Sequence, residues 1–264
     1  CQGFLLRSRL GFYDTDILSL FFPLLVCVLL VLVFSPYIRS GWIKRSDPPD
    51  FLQANTIWLF GLKCLGIGLV GWCYMWFYSS GAPILLCAIA ALLFCVLLLS
   101  ADWRQTGYLV LGLLLIYGVS MSAWTGLMIM ALGLGLLYMW PSLWRQDRYF
   151  LLFVLVLALV MFWDGGLYNK LSSFARTFLN YAKLLPATEE SGLSLPTVKQ
   201  SIREAQNIDW SNLVERVAGS WLIFIPALLG LAYVVWIYPA TLVFIPMLGL
   251  SIFSFKLGNR FTMY

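Results

Sequence analysis

The chain has 264 residues, of which 61% are hydrophobic and only 11% are charged, with a formal net charge of +5. A soluble globular domain is about half apolar and about a quarter charged, so this composition excludes that class and indicates a polytopic membrane protein. The sequence contains no histidine, which removes the commonest general base and the commonest transition-metal ligand.

Six cysteines occur along the chain, and all but Cys1 fall within hydrophobic runs. None forms a Cys-x-x-Cys pair, so we interpret them as small apolar packing residues. Because the sequence begins with a cysteine and ends on a motif at Tyr264, we interpret it as an internal fragment of a longer protein.

The first polar stretch, residues 7–16, carries Asp14 and Asp16 directly before a long apolar run that begins at Ile17. A carboxylate at the end of a membrane helix loses part of its hydration. A charged residue is found there where a partner, a metal or a water-filled cavity compensates for that loss. Two interpretations stay open from this pair alone. The carboxylates are either solvated caps at the positive end of a helix or part of a functional site.

Hydrophobic runs that approach the roughly 20 residues of a bilayer-spanning helix predict eight spans. They cover residues 17–38, 57–78, 84–99, 108–122, 126–140, 149–163, 218–238 and 242–255. The loops after the first, third and fifth spans carry Arg or Lys, whereas those after the second and fourth carry no charge. Because positive residues stay on the cytoplasmic side, we predict that residues 7–16, the segment 164–217 and Arg260 lie outside. Lys63, near the cytoplasmic end of the second span, is expected to extend its ammonium to the interface and is given no role.

The long polar segment 164–217 begins with apolar residues at helical spacing and polar residues on the opposite face. This pattern predicts an amphipathic helix over residues 167–185 on the outer membrane surface. A flexible linker is predicted at residues 186–196, and a further helix is predicted from Trp210. Between them, Ser201 and Glu204 fit a capping box, in which Ser caps a helix and Glu reaches back to the cap N–H.

Three groups share the predicted outer side: Asp14 with Asp16, the segment around Glu204, and Arg260. Separated carboxylates can complete an oxygen-ligand site for Mg²⁺ or Mn²⁺, and a guanidinium can pair with a phosphate through two hydrogen bonds. The set therefore suits a metal-bound, lipid-linked pyrophosphate. Each member also has a purely structural explanation, which for Arg260 and Arg7 is a contact with lipid headgroups.

Three blocks of sequence resemble motifs of bacterial single-subunit oligosaccharyltransferases of the PglB type. Arg7-x-x-x-Gly-x-Tyr-Asp14-Thr-Asp16 resembles the second Asp-x-Asp motif of that family. Gln-Ser201-Ile-Arg-Glu204 resembles the Thr-Ile-x-Glu segment of the fifth external loop, with Ser in place of Thr, and Gly-Asn-Arg260-Phe-Thr resembles the Gly-x-Arg-Phe-Thr block. The order of the three blocks and the six predicted spans between the first two agree with the family.

The resemblance implies an all-α, multi-pass bundle of about eight spans with a GT-C-like glycosyltransferase architecture in the bacterial inner membrane. It divides the chain into an external loop (1–16), six spans (17–163), a second external loop (164–217) and two final spans (218–264). The implied partners are an undecaprenyl-pyrophosphate-linked oligosaccharide, an acceptor polypeptide and membrane lipids, with no nucleic acid. The full enzyme would move the glycan to the Asn amide of an Asn-x-Ser/Thr sequon on the periplasmic or external side.

The same resemblance implies the roles of the site residues. Asp14, Asp16 and Glu204 hold Mg²⁺ or Mn²⁺, and Arg260 binds the donor pyrophosphate. Glu204 engages the acceptor amide, and Arg7 helps to fix the carboxylates or the acceptor, so that the catalytic set is Glu204, Asp14 and Arg7. The family's first Asp-bearing loop and its Trp-Trp-Asp block have no counterpart in this sequence, so we expect the chain alone to transfer no glycan.

Two alternatives stay open at this point. One is another membrane glycosyltransferase that uses a polyprenyl-phosphate sugar. The other, from a different class, is a multi-pass transporter, which should show charged or broken helices at mid-membrane.

Overall fold

The structure is a computed structural model of the chain, and it describes residues 16–38, 54–78, 81–100, 102–139, 147–181 and 209–252. Throughout these ranges the regular secondary structure is helical, without a strand. The prediction of an all-α fold is therefore confirmed for the described residues. Helices satisfy their backbone N–H and C=O groups internally, which is what an apolar surrounding requires.

The long helices follow one another with short connections. They are α1 (Asp16–Phe34), α2 (Ala54–Phe77), α3 (Ala82–Leu99), α4 (Trp103–Ser120), α5 (Trp124–Met139), α6 (Asp147–Asp164), α7 (Leu167–Tyr181), α8 (Trp210–Ala218), α9 (Trp221–Ile237) and α10 (Ile245–Ile252). Short 3-10 turns, Ser35–Tyr37 and Pro239–Phe244, follow α1 and α9. Each predicted hydrophobic run contains a helix, and the helices predicted at 167–185 and from Trp210 are present as α7 and α8.

Within the described ranges, two helical segments, Thr56–Phe77 and Ala82–Leu99, are each long and apolar enough to cross a membrane. The number rises to three if the bent pair Tyr149–Asp164 and Leu167–Ser173 counts as one span. Large apolar side chains are widely exposed, for example Trp58 and Leu222 at 82% and 87%. Such a surface is typical of a helical integral membrane protein, whereas the crossing of all eight runs stays a prediction.

Most of the described core belongs to one compact unit, which comprises Phe21–Lys170 and Val234–Phe244. The second unit comprises Cys1–Leu20, Leu171–Tyr233 and Ile245–Tyr264. The division predicted from the sequence follows the order of spans and loops rather than compactness, so these units do not test it.

Helices α2 and α4 pack closely in the centre of the larger unit because small residues let their backbones approach. A Cβ atom added to Gly68 would lie 2.9 Å from Val119 Cβ, and one added to Gly71 would overlap the Ser120 hydroxyl. That hydroxyl donates a hydrogen bond to the carbonyl oxygen of Gly68 across 3.2 Å. Glycine at these positions is therefore a packing requirement.

Contacts between α1 and α2 show that these helices run in opposite directions. The rings of Phe34 and Phe60 lie 5.2 Å apart at one end, and those of Phe22 and Phe77 lie 5.9 Å apart at the other. Helix α4 runs parallel to α2, since Gly112 packs on Phe60 whereas Ser120 packs on Gly71.

The directions of α5 and α6 follow from their contacts with each other and with α4. Gly126 and Gly133 of α5 pack on Met161 and Phe153 of α6 respectively, so the two helices are antiparallel. Helix α6 is parallel to α4, because Gly107 packs on Phe150 and Tyr117 packs on Phe162. Helices α2, α4 and α6 therefore share one direction, and α1 and α5 have the opposite one.

The two ends of this unit are held by different polar contacts. At the end defined by Tyr37, Gln105 and Pro239, called here the odd-loop end, Gln105 donates to the Tyr37 carbonyl at 2.8 Å, and the Cys95 thiol donates to the Pro239 carbonyl at 3.3 Å. At the end defined by Phe77, Thr125 and Asp164, called the even-loop end, α5 begins and α6 ends. Which of these ends faces the cytoplasm stays a prediction from the positive loops.

Among the described cysteines, the buried ones confirm the interpretation as packing residues and add a second role. Cys27, Cys64 and Cys95 are buried and free. Cys27 donates to the Val243 carbonyl at 3.6 Å, and Cys95 donates to Pro239. Two thiols thus satisfy carbonyl groups of the turn Pro239–Phe244, where the helical hydrogen-bond pattern of α9 has ended.

Candidate functional site

Most of the predicted site residues lie outside the described residues: Arg7, Asp14, Ser201, Glu204 and Arg260. Asp16 is the first residue of α1, which puts its backbone at a helix N-terminus. That position agrees both with a helix cap and with a site at the helix entrance. The roles assigned to these residues therefore stay predictions.

Within the described ranges, no group of three or more His, Cys, Asp or Glu side chains could hold a metal ion. The predicted metal ligands Asp14 and Glu204 are not in those ranges, so the prediction of a metal site is neither confirmed nor contradicted. Its donor set consists of carboxylate oxygens, which are the ligands that Mg²⁺ and Mn²⁺ prefer.

The even-loop end carries a polar arrangement that is centred on Asp164. Asp164 ends α6, and its Oδ2 accepts hydrogen bonds from the N–H groups of Thr125 at 3.0 Å and Gly126 at 3.5 Å, both at the start of α5. The first N–H groups of a helix have no partners within the helix, and the positive end of the helix favours an anion. Asp164 therefore caps the start of α5, and its partner Thr125 lies 39 residues earlier in the chain.

The hydrogen bonds to Asp164 also stabilise its charged form. A hydrogen bond from the Thr125 side chain, together with those from the backbone of Gly126 and Thr125, holds the pKa of the Asp164 carboxyl below its usual value. The carboxylate is exposed and follows the predicted span 149–163, so it remains ionised at neutral pH.

Directly after Asp164 the chain bends by 55° before α7 begins. The segment 164–170 is called here the elbow. Gly166 has a φ of +61°, in the left-handed region that favours glycine, and a Cβ atom on Gly165 would overlap the Tyr117 hydroxyl. The N–H groups of Gly165 and Gly166 donate to the carbonyls of Met161 and Trp163 at 2.8 and 3.1 Å, which closes the end of α6.

Two further polar groups, one beneath the elbow and one at its end, are only partly satisfied or have no partner among the described residues. Tyr117 is 1% exposed, and its hydroxyl has no hydrogen-bond partner within the described part of the chain. The Lys170 ammonium donates to the thioether sulfur of Met121 at 3.2 Å. The Met121 N–H donates to the Tyr117 carbonyl at 2.9 Å, so Met121 follows Tyr117 by one helical turn. Burial lowers the pKa of the Lys170 ammonium.

The spacing of residues in the predicted amphipathic helix 167–185 puts Lys170 on its polar face, and no sequence pattern marks Tyr117. The structure turns Lys170 partly inward. The Asp164-Gly-Gly166 sequence after an apolar run is the pattern that indicates a sharp turn there. The partners of these residues are about 40 to 50 positions away in sequence, and no local pattern reports such pairs.

Comparison with known proteins supports the resemblance found in the motifs. The chain is similar to the undecaprenyl-diphosphooligosaccharide–protein glycotransferases of two Campylobacter jejuni strains, with 23% identity over 258 residues and 98% of the chain. It spans about a third of the length of these curated relatives, 32%. No protein-family model matches the chain. Since the match covers nearly the whole chain, the similarity also includes residues 39–163, which carry none of the quoted motifs.

Proposed function

We propose that this chain is the membrane-embedded part of an oligosaccharyltransferase, a glycosyltransferase that moves a glycan from a polyprenyl-pyrophosphate carrier to the Asn amide of an Asn-x-Ser/Thr sequon. The observation that carries the proposal is the similarity over 98% of the chain to two proteins whose names state a lipid-linked oligosaccharide donor and a protein acceptor. The three motifs at the two ends of the chain add residues suited to that donor.

The proposal includes a multi-pass, GT-C-like bundle of about eight spans in the bacterial inner membrane. The alternating directions of α1, α2, α4, α5 and α6 support it, because each connection then changes sides. The first helix begins near the even-loop end, where Phe22 meets Phe77. With the positive loops at the cytoplasmic side, this end faces the periplasm or the exterior.

In the proposed site, Asp14, Asp16 and Glu204 would hold Mg²⁺ or Mn²⁺. When bound, such a cation stabilises the negative charge that develops on the leaving pyrophosphate. Arg260 binds the pyrophosphate through paired N–H donors. Glu204 accepts hydrogen bonds from the acceptor amide and weakens the conjugation of the nitrogen lone pair with the carbonyl group, which makes the nitrogen a better nucleophile. Arg7 orients the carboxylates or the acceptor.

The placement of charge among the described side chains agrees better with an enzyme than with a transporter. Among the side chains that it describes, the buried polar ones are Gln105, Thr106 and Ser120, and none is charged. Lys63 lies on the exposed surface of α2 rather than between helices. A transporter that moves ions or polar substrates places charged groups inside the helix bundle at mid-membrane.

The experiment is an assay of the gene product that contains this sequence, with lipid-linked oligosaccharide, Mn²⁺ and an Asn-x-Thr peptide. We expect a glycopeptide by mass spectrometry, and none with a matched Gln-x-Thr peptide. Transfer of the sugar to a non-peptide acceptor, without any glycopeptide, would identify the other kind of polyprenyl-dependent glycosyltransferase and would refute the proposal.

A further inference from the structure

The turn Pro239–Phe244, which follows α9, is buried inside the larger unit. Within it, Pro239, Ala240 and Val243 are buried. Where a helix ends, carbonyl groups lose their partners within the helix, and in an apolar surrounding such groups need other donors. The turn therefore depends on hydrogen bonds from neighbouring helices.

The carbonyl of Val243 has a specific need for a side-chain donor. In a 3-10 turn the carbonyl of one residue bonds the N–H of the third residue after it, and for Val243 that residue is Pro246, which has no N–H. The thiol of Cys27, in α1, donates to this carbonyl across 3.6 Å. The thiol of Cys95, in α3, donates to the Pro239 carbonyl across 3.3 Å. Both cysteines are buried, so water does not compete for these bonds.

The positions of the two thiols show the direction in which the chain passes through the turn. Helices α1 and α3 both begin at the even-loop end, because Phe22 and Gly81 each pack on Tyr74 there. Both therefore end at the odd-loop end. Cys95 lies about 6 Å of helix rise before the end of α3, and Cys27 lies about 10 Å before the end of α1. The turn thus starts near the odd-loop end, and its later residues lie deeper in the bundle.

This direction bears on the last predicted span, 242–255. A span that starts at the odd-loop end and goes deeper leads towards the even-loop end, which is the side that the proposed site requires for Arg260. A helix has a fixed rise per residue, so the depth of its start sets the reach of its far end. A displacement of about 1 Å at a reacting group is sufficient to lower a rate about 100-fold.

We propose that Cys27 and Cys95 are positioning residues for the last span: their thiols hold the turn that starts it and thereby set where its far end presents Arg260. The consequence for Arg260 and the donor pyrophosphate rests on the proposed function, whereas the hold on the span does not. Glu204, which is assigned to the acceptor, precedes α8 in another segment of the chain. The effect should therefore fall on the donor.

The first measurement compares alanine with serine at these positions, in the gene product that contains this sequence. Cys27→Ala removes the hydrogen-bond donor, whereas Cys27→Ser keeps one at nearly the same place. We expect Cys27→Ala to raise the KM for the lipid-linked donor about fivefold, the effect of one lost hydrogen bond, with little change in the KM for the acceptor peptide. Cys27→Ser should restore the parental value. Cys95→Ala and Cys95→Ser repeat the comparison at the other carbonyl.

Cys64→Ala is the matched control. Cys64 is equally buried, but its sulfur packs on Gly112 of α4 rather than on the turn. It should leave both KM values unchanged. An equal rise in the donor KM for Cys64→Ala and Cys27→Ala would mean a general loss of packing and would overturn the proposal.

Labelling of Lys256→Cys in the purified protein tests the hold on the span without glycan transfer. Lys256 directly follows the predicted span, so its rate of reaction with a water-soluble thiol reagent depends on its depth, and the parent sets the background. Adding Cys27→Ala should change this rate several-fold, whereas adding Cys27→Ser or Cys64→Ala should not. Equal rates in all variants, or equal changes for alanine and serine, would overturn the proposal. A parent that transfers no glycan would refute the proposed function alone, because the labelling still decides the hold on the span.

Discussion

Asp14 and Asp16 are separated by a single residue, and of the two the structure describes Asp16. Asp16 is the first residue of α1, where a carboxylate stabilises the positive helix end without a metal. Asp14 lies outside the described residues, so the structure does not separate a capping role from a metal-binding role for it. The resemblance to the second Asp-x-Asp motif gives Asp14 the metal-binding role.

We therefore predict that Asp14→Ala weakens metal-dependent glycopeptide formation more than Asp16→Ala does. Substitutions in the outer shell of metal sites cost about 10–100-fold in metal affinity, and a direct ligand should cost at least as much. The measurement is a Mn²⁺ titration of the glycopeptide assay for both variants. Equal losses that do not respond to Mn²⁺ would instead assign both residues to the helix entrance.

Glu204 has two candidate roles, as a member of a capping box and as a carboxylate that binds the acceptor, and one substitution distinguishes them. Glu204→Gln keeps the shape and the capping hydrogen bond but removes the charge that engages the acceptor amide. We expect turnover to fall about 100-fold or more, the size of effect seen when one group that stabilises a transition state is removed. Binding of the lipid-linked donor, measured separately, should change little. Parental turnover in Glu204→Gln would leave the capping box as the sufficient explanation.

At the scale of the helices, glycines in α5 offer a matched pair. A Cβ atom on Gly126 would overlap the Met161 side chain and lie 3.1 Å from the Met161 Cα, whereas one on Gly135 would meet nothing within 4 Å. Gly126→Ala should therefore destabilise the protein by about 1–3 kcal/mol through overpacking. Gly135→Ala should be neutral or stabilising by up to about 1 kcal/mol. Denaturant unfolding in detergent measures both, and equal effects would contradict the packing of α5 on α6.

The cap between α6 and α5 makes a prediction about pH. The pKa of the Asp164 carboxyl is lower in the folded protein than its usual value of about 3.9. The carboxylate therefore stabilises the fold above that value, and this contribution is lost as the pH falls through the folded-state pKa. Asp164→Asn should lower the melting temperature at pH 7 and have a smaller effect near pH 3.

Asp102→Asn is the control for this experiment, because Asp102 precedes α4 without a side-chain capping hydrogen bond. It should leave the melting temperature unchanged at pH 7. A difference between parent and Asp164→Asn that stays the same at both pH values would show that the charge of Asp164 does not contribute to the cap.

Most of the helices could be predicted from the sequence because they are runs of apolar residues, and α7 could be predicted because its apolar residues recur at helical spacing. Their ends could not be predicted as well. Helix α4 begins at Trp103, five residues before its predicted start. The prediction left out Gln105 because it is polar, but its side chain donates a hydrogen bond to the Tyr37 carbonyl and is therefore accommodated within the helix. The turn Pro239–Phe244 extends past the predicted start of the last span at residue 242, since Cys27 and Cys95 bond its carbonyls. Such bonds join residues far apart in the chain.

At the scale of the whole molecule, the site was predicted from a resemblance and the topology from the positive loops. The structure adds the alternation of helix directions and the elbow, and the comparison adds similarity along 98% of the chain. The proposed site requires Asp14, Glu204 and Arg260 to face the same external side as the elbow. It requires that the last predicted span returns the chain to that side.

Accessibility of single cysteines in intact cells tests this claim most directly. Arg260→Cys is compared with Tyr168→Cys at the exposed elbow and with Asp102→Cys at the start of α4, and the parent protein sets the background. A thiol reagent that does not cross the membrane should label Arg260→Cys and Tyr168→Cys without permeabilisation, and Asp102→Cys only after it. If Arg260→Cys is labelled together with Asp102→Cys instead, the topology and the shared site are both wrong.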